Sequence, residues 1–226
     1  MHSYEIEIKV LLGDKPSRDN FMNAVNINFP AMKHSYSESQ KNHYFEGGNL
    51  KTLGEVFAEY ISPEETVRLK DIEKNAKSFS VRTRGTVDET ILVVKATMNA
   101  ETSSNGTARI EWEVDLAPMT IEKMDELVLK AGFQYQAKWS RERDEYQLNH
   151  DTALCIDRNA GYGYVAEFER VINDESQIES TRAELLGMIE SLGFEELAQD
   201  RLARMFDFYN QNWREYYGTE KVFTVE

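Results

Sequence analysis

Cysteine is nearly absent from this chain, with Cys155 standing alone. A lone thiol cannot close an intramolecular disulfide, and zinc sites built from several cysteines are excluded. Long apolar runs are missing too. No stretch approaches a signal-peptide core or a membrane span in length, so the sequence predicts a cytoplasmic protein that does not enter a membrane. There is no Pro-, Gly- or Ser-rich linker and no repeat of solenoid period, and the expectation is a single domain over residues 1–226. Positive charge is scarce: 26 Lys and Arg face 40 Asp and Glu, a net charge of −14. A chain this acidic repels polyanions at long range, which argues against general nucleic-acid binding. The four histidines, His2, His34, His43 and His150, lack metal-ligand spacing and read as surface or structural residues. Apolar residues make up 41%, enough for one sizeable core.

What is present is a repeated alternation. In Glu5-Ile6-Glu7-Ile8-Lys9 a strand would turn two carboxylates and an ammonium to one face, with Ile6, Ile8 and Val10 on the other. The pattern returns at Arg109-Ile110-Glu111-Trp112-Glu113-Val114-Asp115-Leu116 and at Glu167-Phe168-Glu169. A second group of segments is basic: Arg82 and Arg84 flank Thr83, Lys95 closes the run Ile91 to Val94, and Arg141 and Arg143 flank Glu142. The charged faces thus divide into carboxylate sets and cation sets.

Two architectures accommodate this. The strands either form sheets with a solvated side, or close into a barrel with a charged lumen and an apolar outside covered by helices. Helices are predicted from Ser17 to Ile27 after Pro16, from Thr120 to Ala131, from Asp174 to Leu192, and from about Glu195 to Tyr217 with Leu197, Leu202, Met205, Phe206, Phe208 and Tyr209 as its stripe. Asn49 to Ser78 also reads as helical, from Leu50, Leu53, Val56, Phe57, Tyr60 and Ile61 and then Val67, Leu69 and Ile72 after Pro63. Gly106 marks a hairpin turn between strands Thr90–Met98 and Thr107–Leu116, and Gly161-Tyr162-Gly163 reads as a turn rather than a nucleotide loop. In a barrel Ile110, Trp112 and Val114 would be buried beneath helices. A regular strand would put Lys138 on the face opposite Arg141 and Arg143.

The ordered set Glu5-x-Glu7-x-Lys9, His43-Tyr44-Phe45-Glu46, Arg82-x-Arg84, Lys95, Arg109-x-Glu111-x-Glu113, Lys138 to Tyr146, Asp157 and Glu167-x-Glu169 resembles the CYTH domain family over about residues 3–210. That family comprises the triphosphate tunnel metalloenzymes: inorganic and thiamine triphosphatases and class IV adenylyl cyclases. The resemblance implies an α+β fold, a closed eight-stranded antiparallel β-barrel with helices packed outside. Its tunnel would have a basic side for a triphosphate and an acidic side for Mg²⁺ or Mn²⁺. The chemistry asks for the same division, since guanidinium forks and ammoniums hold phosphate, whereas carboxylates reach it only through a hard cation. Against the family pattern, residues 49–78 look like a helical insertion. Arg204-Met205-Phe206 stands where the family has a Lys followed by Ser-Tyr, which leaves Arg204 as a phosphate contact in place of the Lys.

The function expected from this reading is metal-dependent hydrolysis of a triphosphate, inorganic tripolyphosphate foremost. Lys9, Arg82, Arg84, Lys95, Arg109, Arg141, Arg143 and Arg204 would bind substrate. Glu5, Glu7 and Glu169 would hold a first metal, and Glu111, Glu113, Asp157 and Glu167 a second one or the attacking water, with Lys9, Glu111 and Glu113 acting in catalysis. Alternatives are conversion of ATP to cyclic AMP and pyrophosphate, hydrolysis of thiamine triphosphate with Trp112, Trp139, Tyr44 or Tyr162 stacking on the ligand, and a non-catalytic polyphosphate-binding module. Partners would be small triphosphates, not nucleic acid or membrane, with the chain a monomer or homodimer.

Overall fold

The structure, a computed structural model, describes residues 4–98 and 109–225. The expected turn at Gly106 lies outside the described residues. Eight strands form one antiparallel sheet: β1 Tyr4–Gly13, β2 Lys33–Gly47, β3 Ala76–Gly85, β4 Thr90–Met98, β5 Arg109–Asp115, β6 Phe133–Gln147, β7 Ala153–Asn159 and β8 Gly163–Ile172. Its hydrogen-bonded order is β1-β8-β7-β6-β2-β3-β4-β5. No ladder joins β1 to β5 among the described residues, so closure of the barrel is not part of the observed topology. Six α-helices complete the described chain: α1 Lys15–Asn28, α2 Leu50–Phe57, α3 Pro63–Asn75, α4 Ile121–Lys130, α5 Ile178–Ser191 and α6 Gln199–Tyr216. None of them is long and apolar enough to cross a membrane.

The chain divides into two compact units, residues 1–39 with 140–226 and residues 40–139. In the first, Ile8, Val10 and Leu12 of β1 join Leu154, Ile156, Ala166 and Phe168 in an apolar sheet face. Phe21 and Val25 of α1 and Leu185 and Ile189 of α5 cover it, with the Phe21 and Phe168 rings edge to face at 6.1 Å. Asp14 caps α1 by accepting from the Ser17 N–H at 2.9 Å, and Pro16 sits inside the first turn. The helix therefore starts before Pro16 rather than after it, because the first turn needs no Pro N–H. The β7–β8 connection is the expected turn. Its Gly163 adopts φ +71°, and a Cβ there would fall 1.9 Å from the Gly13 carbonyl oxygen.

In the second unit Phe45, Val81, Leu92, Val94, Ala96 and Trp112 form the apolar face, covered by Leu53 and Phe57 of α2, Leu69 and Ile72 of α3, and Met124 and Val128 of α4. Residues 49–78 are helical only in part. Helix α2 ends at Phe57, leaving Tyr60 exposed beyond it, Val67 points to solvent, and β3 already begins at Ala76. Trp112 is fully buried as expected, but Val114 is only half-buried at the margin of this core, and Ile110, near the other end of β5, lies outside the cluster that the helices cover and is exposed.

Helix α4 carries a polar anchor that the sequence pattern conceals. Its cap, Thr120, accepts from the Lys123 N–H at 3.3 Å. Its Asp125 is buried and accepts from the His43 Nδ1 at 2.7 Å, the Thr83 hydroxyl at 2.7 Å, the Tyr135 hydroxyl at 2.7 Å and the Lys138 Nζ at 3.3 Å. Lys138 thus lies on the helix-covered side, as strand parity predicts. Burial alone would raise the Asp125 carboxyl, but the donors from His43, Thr83 and Tyr135 outweigh it and hold the group below its ordinary value.

Two predictions follow from this packing. Trp112→Ala should cost about 3–5 kcal/mol in denaturant unfolding. Trp112→Phe should cost far less, because the buried indole N–H has no hydrogen-bond partner to lose; equal losses for the two would contradict the packing. Asp125→Asn should cost about 1.5–3 kcal/mol at neutral pH. A depressed folded pKa contributes stability above the unfolded value of about 3.9 and loses it as pH falls through the folded value. The gap between wild type and variant should therefore begin to narrow below about pH 4 and close once the pH has fallen through the folded value, and a gap unchanged under acid would show that Asp125 is not the ionised centre of the network.

Candidate functional site

Strand register assembles the charged face of the first unit. Residues directly opposite in an antiparallel pair share a face. Glu7 stands opposite Glu169 and Lys9 opposite Glu167 across β1 and β8. Glu167 stands opposite Cys155 across β8 and β7, and Asp157 opposite Arg143 across β7 and β6. One oxygen from each of Glu7, Glu167 and Glu169 falls within 4.8 Å of the others. Lys9 Nζ lies between Glu7 and Glu167 and donates to both. Arg143 donates two bonds of 2.7 Å to Asp157, a further bond to Glu167, and lies 3.6 Å from Glu169. Arg141 reaches Asp157 at 3.7 Å and Glu38 at 3.9 Å.

These contacts set the protonation states. Burial would raise Glu167, but the Lys9 ammonium and the Arg143 guanidinium outweigh it and hold the carboxyl below its usual range. Burial also opposes the charge on Arg143, yet Asp157 and Glu167 push its pKa above even the ordinary arginine value. Asp157 is nearly inaccessible; burial, with Glu167 close by, raises its carboxyl in spite of Arg143. Burial pushes the Cys155 thiol up to about 12, which makes it a neutral filler rather than a nucleophile.

Among the described side chains the face holds six carboxylates, Glu7, Glu38, Glu145, Asp157, Glu167 and Glu169, and three cations, Lys9, Arg141 and Arg143. Hard oxygen donors in negative excess, three of them convergent, fit Mg²⁺ or Mn²⁺. The structure groups Glu167 with Glu7 and Glu169, whereas Asp157 is committed to Arg143. Sequence spacing could not show that Glu167 joins this group, because Glu167 and Glu7 become neighbours only through the β1–β8 register. Glu38 and Glu145 escape the sequence reading for a different reason: β2, which carries Glu38, is polar along most of its length, and so is the Ser140 to Gln147 stretch of β6 that carries Glu145, so neither offers an alternation from which to assign a face.

The second unit carries the basic counterpart. Tyr44, Arg82, Val93 and Glu113 align across β2 to β5, as do Lys95 and Glu111 across β4 and β5. Arg82 lies 3.2 Å from Glu111 and 3.9 Å from Glu113, Arg84 3.5 Å from Glu113, and Lys95 2.9 Å from Glu111. Burial of Glu111 is outweighed by the Lys95 and Arg82 charges, which keep its carboxyl low. The Nε atoms of both Arg82 and Arg84 are buried without a hydrogen-bond partner. Two guanidiniums with spare donors, held by only two carboxylates, can accept an incoming oxyanion.

Arg204 is an exposed residue of α6, 2.8 Å from Asp200 one turn away. Glu5 lies on β1 and Arg109 on β5, and their side chains are outside the described residues. Of the aromatic residues considered for stacking, Trp112 is core and Tyr162 is buried against Tyr209 and Phe223. Tyr44 remains on the charged face, where its hydroxyl accepts from Arg82 at 3.4 Å.

Comparison with known proteins gives the fold an ancestry. No curated protein matches the chain. Among solved structures it is similar to a candidate adenylate cyclase from Vibrio parahaemolyticus, at 11% identity over 92% of this chain and 99% of that one, with a TM-score of 0.51. It is also similar to a Pyrococcus horikoshii protein, at 20% identity over 87% and 94% of the two chains with a TM-score of 0.49. A candidate adenylyl cyclase from Hippeastrum, described as having a dominant triphosphatase activity, matches at 17% identity over 91% and 96%, again with a TM-score of 0.49. Residues 3–202 match the CYTH domain family, and the chain belongs to that family.

Proposed function

We propose that this protein is a divalent-metal-dependent triphosphatase whose substrate is inorganic tripolyphosphate. The observation that carries the reading is the convergence of the Glu7, Glu167 and Glu169 oxygens on a face with excess carboxylate. Family membership supports action on a triphosphate, and the closed barrel implied by the sequence resemblance belongs to the same proposal.

In this reading Glu7, Glu167 and Glu169 hold Mg²⁺ or Mn²⁺, which supplies charge neutralisation and polarisation of phosphate oxygens when bound. Arg82, Arg84 and Lys95 take the substrate oxygens, with the buried Nε groups of the two arginines gaining acceptors. Phosphate oxygens then replace Glu111 and Glu113 as partners of those cations. The two freed carboxylates hold the attacking water and receive its proton as the new P–O bond forms and pyrophosphate departs. Lys9 and Arg143 keep the metal-holding carboxylates oriented and their mutual repulsion in check. Phosphoryl transfer needs positioning and charge compensation above all, and these residue types are sufficient for it.

The purified protein with Mg²⁺ or Mn²⁺ should convert tripolyphosphate to phosphate and pyrophosphate faster than it turns over ATP or thiamine triphosphate. Cyclic AMP as the main product from ATP would replace the reading with a cyclase. Glu7→Gln should lower turnover by about 100-fold or more while leaving the unfolding midpoint nearly unchanged. Arg82→Ala should weaken substrate capture by about 1.5–3 kcal/mol. A Glu7→Gln enzyme of near-normal rate would remove the metal assignment.

A further inference from the structure

A second cationic feature lies in the first unit, on residues that the proposed reaction does not use. The corner between β1 and α1, the β7–β8 turn and the segment after α6 enclose a cleft of about 450 Å³ lined by Lys15, Arg18, Arg158, Tyr164, Glu220 and Lys221, among others. The C-terminal side of the cleft is fixed. Phe223 N–H donates to the Gly161 carbonyl at 2.9 Å, Val222 bridges to Gly161, and Arg201 Nε donates to the Val225 carbonyl at 2.8 Å.

Four cations line this space against two carboxylates, Asp14 and Glu220, in a chain of net charge −14. Asp14 is already committed to the Ser17 N–H as the cap of α1. Arg158 is paired with Glu220 and with Glu142. Lys15 and Lys221 make no ion pair among the described residues. Arg18 lies with its guanidinium carbon 5.1 Å from the Tyr164 ring centre and reaches Asp19 at 3.2 Å, yet its Nε is buried without a hydrogen-bond partner. Gathering like charges around a cleft is unfavourable unless an anion offsets it, and a buried guanidinium N–H left unpaired adds to that cost.

We infer that this cleft is a binding site for a small phosphate-bearing anion, separate from the carboxylate and arginine faces described above. Two guanidinium groups present planar donors suited to phosphate oxygens, and two ammoniums add point charges. The volume falls within the range of about 300–1,000 Å³ typical of small-molecule pockets. The shared chemistry is a phosphate group, free or esterified, and Tyr164 is already covered by Arg18, so no ring is left to select a base.

Calorimetric titration in the presence of a chelator tests the site without metal or turnover, so its outcome is independent of whether the chain hydrolyses tripolyphosphate. The background is Arg82→Ala/Arg84→Ala, and the probes are pyrophosphate, inorganic phosphate and AMP. Pyrophosphate should bind in this background, and adding Lys15→Gln/Lys221→Gln at these exposed positions should weaken it by about tenfold or more. Preference for AMP over both inorganic anions would assign the site to an esterified phosphate, and the reverse to a free one. If the background variant loses its native circular dichroism, the comparison is wild type against Lys15→Gln/Lys221→Gln, with loss of one pyrophosphate site as the expected result. Unchanged pyrophosphate affinity in the lysine variant, or no binding to the cleft up to roughly millimolar concentration, would overturn the inference.

Discussion

A carboxylate removed from water has to be paired, protonated or bound to a cation, and the polar face of the first unit is arranged around that constraint. Asp157 and Glu167 are both buried on neighbouring strands, and one guanidinium, Arg143, serves both and approaches Glu169 as well. Lys9 performs the same office for Glu7 and Glu167. Removing either cation would leave close carboxylates to repel one another across the β1–β8 and β7–β8 pairs. The face is therefore stable enough to fold, yet with six acids and three bases among its described side chains it retains a demand for positive charge. That residual demand distinguishes it from an ordinary solvated sheet surface.

The second unit solves the opposite problem with the same device. Glu111 and Glu113 keep Arg82, Arg84 and Lys95 from repelling one another, and the arginines keep donors unspent. Behind this face the sheet is fastened to α4 by Asp125, whose four donors come from β2, β3 and β6. The arginine-bearing strand β3 takes part directly, since Thr83 stands between Arg82 and Arg84 and points the other way. A buried anchor on one face of β3 thus fixes the guanidiniums on its other face, which is what binding by pre-oriented charge requires.

Much of this was legible before any coordinates, because a period of two is a strong signal where charged and apolar residues alternate strictly. The faces of β1, β5 and β8 followed from Glu7, Ile8, Glu111, Trp112, Glu167 and Phe168 alone. Side chains that lie near a strand end escaped the pattern: Ile110 keeps the alternation but sits beyond the helical cover. So did residues whose role depends on a long-range register. Glu167 and Glu169 are two residues apart on one face, and only the pairing of β8 with both β1 and β7 brings Glu7 to one and Asp157 towards the other. Asp125 stands among Glu122, Lys123 and Glu126 on the amphipathic α4, and nothing in its neighbourhood in the sequence announces partners 82 and 42 residues away.

The central claim is that the Glu7, Glu167 and Glu169 face is a divalent-cation site rather than a self-neutralised surface. Electron paramagnetic resonance of Mn²⁺ titrated into the purified protein measures this directly, before any substrate is added. The account predicts a saturable bound-Mn²⁺ signal that Mg²⁺ displaces and that Glu169→Gln weakens by about tenfold or more. Mn²⁺ affinity unchanged by Glu169→Gln, or no saturable binding at all, would contradict it.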